Sequence, residues 1–182
     1  LAACGSVAEL LARPGLEAVV IGAETSFHAE LVEQAAAAGK TIVLQKPMAL
    51  TMEQADRIVA AVKKAGVRFT MCWQMRVDPQ NVKMKELVES GEFGRIFMMR
   101  RRHGLGMCLN PDFANSWHVT PQYNRDIWAD DSSHPIDLVH WMFGVPESVT
   151  AEVESLYNPR MPRDNRSEEH TSALQSRQVI SY

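Results

Sequence analysis

The chain is poor in cysteine, with three residues in 182, Cys4, Cys72 and Cys108, and no CxxC pair. That odd, scattered set argues against a disulfide framework and against a zinc knuckle, and it suits a reducing compartment, the cytoplasm, with periplasmic export left open. No apolar run reaches the roughly 18 to 20 residues that a membrane span requires, and no signal-peptide pattern is visible. Positive charge is not in excess either. With 19 Lys and Arg against 22 Asp and Glu the net charge is -3, which gives no electrostatic footprint for nucleic acid. The triplet Arg100, Arg101, Arg102 is too short to alter that, although one of its members could hold a phosphate or carboxylate. The serine-nucleophile elbow GxSxG, the phosphate-binding P-loop and the zinc-protease HExxH are all missing.

What is present is a globular composition, 46% hydrophobic, patterned as alternating strands and helices. Ser6 and Glu9 form a capping box for a short helix in VAELLARPG, stopped by Pro14 and Gly15. AVVIGAE reads as a buried strand. The helix HAELVEQAAAAGK follows, capped by Ser26 or a neighbour and stopped at Gly39. TIVLQ is a second strand, Thr51 and Gln54 box the start of a second long helix, and RFTMCWQM is a third strand. Strands separated by helices predict a parallel sheet. Beyond Arg76 the pattern changes. Asp78 and Pro79 open the helix NVKMKELVESG, RIFMMRRRHG reads as a strand, and residues 104–129 read as a long aromatic and polar loop of the kind that carries function. Ser132 or Ser133 caps HPIDLVHWMFG, and SVTAEVESL alternates as a strand. Gly104 to Gly106 superficially suggests a dinucleotide turn, but no helix opens after it.

Lys46 is the residue that speaks most directly of chemistry. The strand TIVLQ delivers it and Pro47 ends the ladder, so the ammonium stands at a strand's C-terminal end, the edge where open parallel sheets bind ligands. Asp130 and His134 stand four apart at a helix entrance, where one helical turn would bring carboxylate and imidazole together as a general acid and base. Asp137 and His140 extend the pattern to DxxxHxxDxxH, but His140 falls among Leu138, Val139 and Trp141 and reads as a core histidine, so no metal site is assigned.

Taken in order, AVVIGAETSFH, VLQKP, CWQMR, SGEFGRI and DDSSHPIDLVHWMFG resemble the glucose-fructose oxidoreductase and inositol dehydrogenase (Gfo/Idh/MocA) family, over roughly residues 6–155. The resemblance implies an α/β fold class: the C-terminal part of a Rossmann-like dinucleotide-binding domain over residues 1–76, then the start of an α+β substrate domain with an open sheet over 77–165. It implies Lys46, Asp130 and His134 as the catalytic set. Ala23, Glu24, Phe27, His28, Gln45, Lys46, Pro47, Trp73, Gln74 and Arg76 are implied contacts to NAD or NADP. Arg101, His118, Arg125, Trp128 and Asp131 are candidates for substrate contact, because polar groups and rings can clamp a sugar. Gln45 stands where the family usually has Glu, and Ser132 where it usually has Gly. The implied activity is hydride transfer between a sugar or polyol hydroxyl and the nicotinamide, in a homo-oligomer without nucleic-acid or membrane partners. A redox-assisted glycosidase and a non-catalytic sugar or nucleotide sensor are the alternatives.

Both ends read as truncations. Residues 166–182, which also resemble a translated sequencing adaptor apart from Ala173, show no hydrophobic period and are expected to be a non-native tail. Lacking the Gly-rich phosphate turn, the 182 residues alone are expected to be inactive.

Overall fold

The computed structural model describes residues 3–101, 104, 106, 110–154, 165–172 and 176–181. Arg102 and Cys108 lie outside the described residues. The chain divides into two compact units, one made of Leu1–Cys72 with Gln122–Asn124, the other of Trp73–Pro121 with Arg125–Tyr182.

In the first unit, helix α1 (Val7–Leu11) starts where Ser6 Oγ accepts the Glu9 amide at 3.1 Å. Three strands follow, β1 (Ala18–Ile21), β2 (Thr41–Leu44) and β3 (Phe69–Met71), all parallel, in the order β1-β2-β3. The β-branched run Thr-Ile-Val of β2 suits the central position, and Ile42 and Leu44 are fully buried there. The crossovers are α2 (His28–Ala37) and α3 (Met52–Ala65). Ala29, Val32, Ala35 and Ala36 of α2 form the core with Ile21, Ile42, Leu44 and Ile58. Alanines let that helix lie close against the sheet without losing helix propensity. Thr51 Oγ1 accepts the Gln54 amide as the spacing predicts, while Gln54 Oε1 reaches back to the amide of Leu50, one residue before the N-cap. Gly66 ends α3 at φ 65°, a left-handed stop that a side chain would resist. On the outer face Arg57 of α3 grips Glu33 of α2 through two hydrogen bonds, at 2.9 and 2.7 Å. Ser26 does not cap α2. The N-cap position falls on Phe27, without a side-chain bond, and Ser26 Oγ is buried without a hydrogen-bond partner.

The second unit opens with a 3-10 turn, Gln74–Arg76, and α4 (Pro79–Ser90). The sequence reading carries the first domain through Arg76, whereas the division falls after Cys72 because Gln74 and Arg76 bond to residues of this unit. Residues 95–101 form no strand. Phe97 and Met98 are exposed there, so the segment has strand composition but no ladder partner among the described residues. The presumed loop is largely short helical turns: Pro111–Asn115, Trp117–Val119, α5 (Pro121–Asn124) and α6 (Ile127–Asp131). Helix α7 (Ser133–Phe143) buries Leu138, Val139 and Met142, while His140, read as a core residue, is exposed. Strand β4 (Ser148–Glu154) pairs antiparallel with β5 (Asn165–Ser172), and β5 with β6 (Ser176–Ser181). Within the tail, residues 166–172 and 176–181 therefore contribute strands where no element is expected. Ladder bonds are made by backbone and need no hydrophobic period.

Candidate active site

Parallel pairing brings the C-terminal ends of β1, β2 and β3 to one edge of the first unit. The ladder runs one residue past β2, where the Gln45 amide donates to Ile21 O at 2.9 Å, and Lys46 follows, its own amide bonded to Gln45 Oε1 at 3.1 Å. Gln45 thus uses its carboxamide to steady the backbone at the lysine, a task for which a donor-free Glu would also serve. The Lys46–Pro47 peptide is cis.

His28 is what holds that loop. Its ring is fully buried, with Nδ1 2.9 Å from Pro47 O and 3.3 Å from Met48 O, and Nε2 3.0 Å from Ala23 O. It is a clasp between the loops after β1 and β2. Both ring nitrogens of His28 are thus engaged by backbone carbonyls. Phe27 beside it is 44% exposed, tilted against Tyr123 at 6.4 Å between centroids, and buried Thr25 donates to Asn124 Oδ1 at 2.9 Å. Ala23 and Phe27 line an open cleft with Val7, Leu31 and Gln34, and Glu24 and Pro47 flank the same strand ends, half-buried.

In the second unit, Asp126 caps α6 by accepting the Ala129 amide at 2.6 Å, while Arg125 before it takes a positive φ of 62° and places its Nε 3.3 Å from Asp126 Oδ2. Helices α6 and α7 meet at Ser132, whose backbone is itself right-handed helical and whose amide donates to Trp128 O at 3.0 Å, so Asp130 and His134 lie on either side of that junction. Asp130, 3% exposed, receives His118 Nδ1 at 3.0 Å. The His118 ring lies stacked between Trp117, at 3.8 Å, and Phe113, at 5.5 Å. That arrangement fixes the plane of His118 and directs its Nδ1 at the Asp130 carboxylate.

His134 is buried in the first turn of α7. Its Nε2 is 3.3 Å from the Gln74 carboxamide nitrogen, and the Trp73 ring meets it edge-on at 6.2 Å. Arg76 forks onto Asp137, Nε to Oδ2 at 2.8 Å and a terminal nitrogen to Oδ1 at 2.5 Å. The Asp137 carboxylate, accepting both bonds, raises the Arg76 guanidinium above its usual range against a smaller opposing effect of burial. Trp73, Gln74 and Arg76, assigned from the resemblance to the cofactor, are thus in contact with α7 residues. Arg101 approaches Met75 Sδ at 3.4 Å; Trp128 is half-buried and Asp131 is buried. The pairings His118–Asp130 and Arg76–Asp137 are contacts that sequence spacing misses. Only the Trp-His dipeptide and the second carboxylate of the DxxxHxxD run hint at them.

Three parallel strands joined by helices, whose C-terminal ends carry a lysine loop, describe part of an open α/β sheet. The chain belongs to the GFO/IDH/MocA oxidoreductase family: the family's NAD-binding Rossmann fold matches residues 1–72, and its C-terminal domain matches residues 81–175. It is 28% identical to scyllo-inositol 2-dehydrogenase (NAD(+)) of Bacillus subtilis over 84% of this chain and 43% of that protein. It is 29% identical to levoglucosan dehydrogenase of Pseudarthrobacter phenanthrenivorans over 82% of this chain and 38% of that protein. Among solved structures it is similar to the WlbA dehydrogenase from Bordetella pertussis in complex with NADH and UDP-GlcNAcA, at 26% identity and a TM-score of 0.83, covering 97% of this chain and 55% of that one. The chain therefore spans about two fifths of these curated relatives and about half of the solved protein.

The residues present fit part of a nicotinamide dinucleotide. The strand-end loops offer Ala23, exposed Phe27 and Lys46 to it, whereas no Gly-x-Gly-x-x-Gly turn to cradle a pyrophosphate occurs in the 182 residues. No described helix is long and apolar enough to cross a membrane.

Proposed function

We propose that the protein of which this chain is part is an NAD- or NADP-dependent dehydrogenase acting on a hydroxyl of a sugar or polyol, working as a homo-oligomer in the cytoplasm. The observation that carries the reading is Lys46, set at the C-terminal edge of the parallel sheet by a loop that buried His28 ties down, in a chain of this family. The curated relatives, an inositol and a levoglucosan dehydrogenase, support the substrate class. When bound, the nicotinamide supplies the hydride acceptor. Lys46, with Ala23 and Phe27, is the group on this chain that would lie against it.

His134 takes the hydroxyl proton at Nε2, and the Lys46 ammonium stabilises the oxygen as negative charge develops on it. Asp130 acts through His118, holding the imidazole to present Nε2 to a second hydroxyl, with Trp117 as an apolar face for the ring of the substrate. Arg101, Arg125, Trp128 and Asp131 complete the proposed substrate contacts. Replacing His134 or Lys46 by Ala in the full-length protein is expected to lower kcat by about 100- to 10,000-fold each, with cofactor affinity changed only a few-fold. Turnover near the parent level in His134→Ala would remove His134 from the mechanism. Light scattering tests the oligomer.

A further inference from the structure

The contact between Gln74 and His134 decides which nitrogen of the imidazole can work as a base. After β3 the chain turns sharply, and the turn Gln74–Arg76 is fastened to α7 at two neighbouring points. Arg76 forks onto Asp137, which is buried, and Gln74 reaches His134 one turn earlier on the same helix. A guanidinium bound through two parallel bonds leaves little rotational freedom, so the turn, and the carboxamide it carries, have a fixed place. Trp73 closes another side of the ring edge-on, at an interplanar angle of 81°. His134 itself is 6% exposed, so water contributes little to choosing its protonated nitrogen.

Two nitrogens at 3.3 Å form a hydrogen bond only if one donates and the other offers a lone pair. A carboxamide nitrogen has no lone pair to give and two protons to donate. With the carboxamide nitrogen turned to the ring, the imidazole carries its proton on Nδ1 and its lone pair on Nε2. That is the form a base needs, since the lone pair held by Gln74 is the one that a substrate hydroxyl would take over. We propose that Gln74 is a positioning residue for His134: it selects the Nδ1-protonated tautomer and keeps the Nε2 lone pair available for the hydroxyl proton. The inference rests on the reading of His134 as the proton acceptor, but the tautomer is measurable without any turnover.

The experiment is long-range proton–nitrogen correlation NMR of the histidine rings in the 182-residue chain, with His134 assigned from His134→Ala. In the parent the His134 Nε2 resonance should be that of an unprotonated nitrogen and Nδ1 that of a protonated one. Gln74→Glu places an acceptor-only oxygen pair against Nε2 and should reverse the pattern, putting a proton on Nε2. Gln74→Leu, which neither donates nor accepts, should leave a mixture of tautomers in fast exchange. A change of packing alone would not reverse the two nitrogens. A parent spectrum with the proton on Nε2, which would mean that Gln74 faces the ring with its oxygen, overturns the proposal. So does an unchanged tautomer in Gln74→Glu. The parent spectrum needs no variant and decides the matter even if the substitutions do not fold. Should the tautomer be as stated while His134→Ala in the full-length protein keeps its turnover, the base assignment falls and the positioning by Gln74 stands.

Discussion

His28→Phe should loosen the first unit by an amount that the geometry sets. The wild-type ring touches three backbone carbonyls, Ala23 O from Nε2 and Pro47 O and Met48 O from Nδ1, and it is fully buried. A neutral imidazole has one N–H and so donates to one side at a time, while the phenyl ring donates to neither. An acceptor stripped of its donor costs about 1–3 kcal/mol when it is buried. Residues 23, 47 and 48 are half-buried, which lets water reach some of these oxygens and favours the lower end. The expected loss is therefore about 1–2 kcal/mol, a roughly 5- to 30-fold rise in the opening equilibrium. His28→Ala should cost more, about 2–4 kcal/mol, because it also leaves a cavity beside Ala29 and Val32. Amide hydrogen exchange at Ile42, Val43 and Leu44 reads this directly, since these strand amides open only when the unit does. Tryptophan fluorescence would not, because all four tryptophans lie in the second unit. His28→Gln restores N–H donors and should recover part of the loss. Exchange in His28→Phe within twofold of the parent would show that the carbonyl contacts contribute nothing, and the clasp would have to be abandoned.

In the second unit Arg76→Ala leaves the buried Asp137 carboxylate without its partner and should cost about 1–3 kcal/mol, less than a wholly buried pair because the Arg76 side chain is 39% exposed; fluorescence-monitored urea unfolding checks this, and in the same assay Asp137→Asn should be milder, its amide still accepting one bond. Acid should weaken the tie between α2 and α3, because the hydrogen bond from Arg57 holds the Glu33 carboxyl below its ordinary range. That stabilisation is complete above the ordinary carboxylate value of about 4.3 and disappears as pH falls through the lowered one, so the difference between parent and Glu33→Gln should be present at neutral pH and vanish in strong acid. Both side chains are exposed, so the difference should also shrink with salt. The 182-residue chain mixed with NAD and a polyol should give no change in nicotinamide absorbance, since it carries no Gly-x-Gly-x-x-Gly turn.

The first unit was legible because its signals are local and agree with one another. N-caps at Ser6 and Thr51, stops at Gly39 and Gly66 and a β-branched run at Thr41–Leu44 all act within a few residues, and the parallel sheet follows from their order. Residues 95–101 fail for the opposite reason. RIFMMRR has the residues of a strand, but a strand exists only when another backbone completes its ladder, and composition does not say whether one is present. The same logic runs in reverse for β5 and β6, which form ladders without any apolar period to announce them.

At the site, spacing names residues but not all of their partners. Counting four from Asp130 to His134 looks only along the chain, which keeps a right-handed helical conformation at Ser132. The carboxylate is also met by what folds over it, and the turn Trp117–Val119 brings His118 to it across twelve residues of chain. His134 is reached by Gln74 from sixty residues away. Both partners come from segments whose side chains show no period, so only tertiary structure could name them. The consequence is chemical as well as structural. Asp130 and Gln74 each hold one histidine, through different atoms and with opposite polarity: the carboxylate accepts from His118 Nδ1, and the carboxamide donates to His134 Nε2. Two imidazoles are thereby held, His118 through Nδ1 by an acceptor and His134 through Nε2 by a donor. His134 must give up that bond to take a proton, so Gln74 protects it until a hydroxyl competes for it.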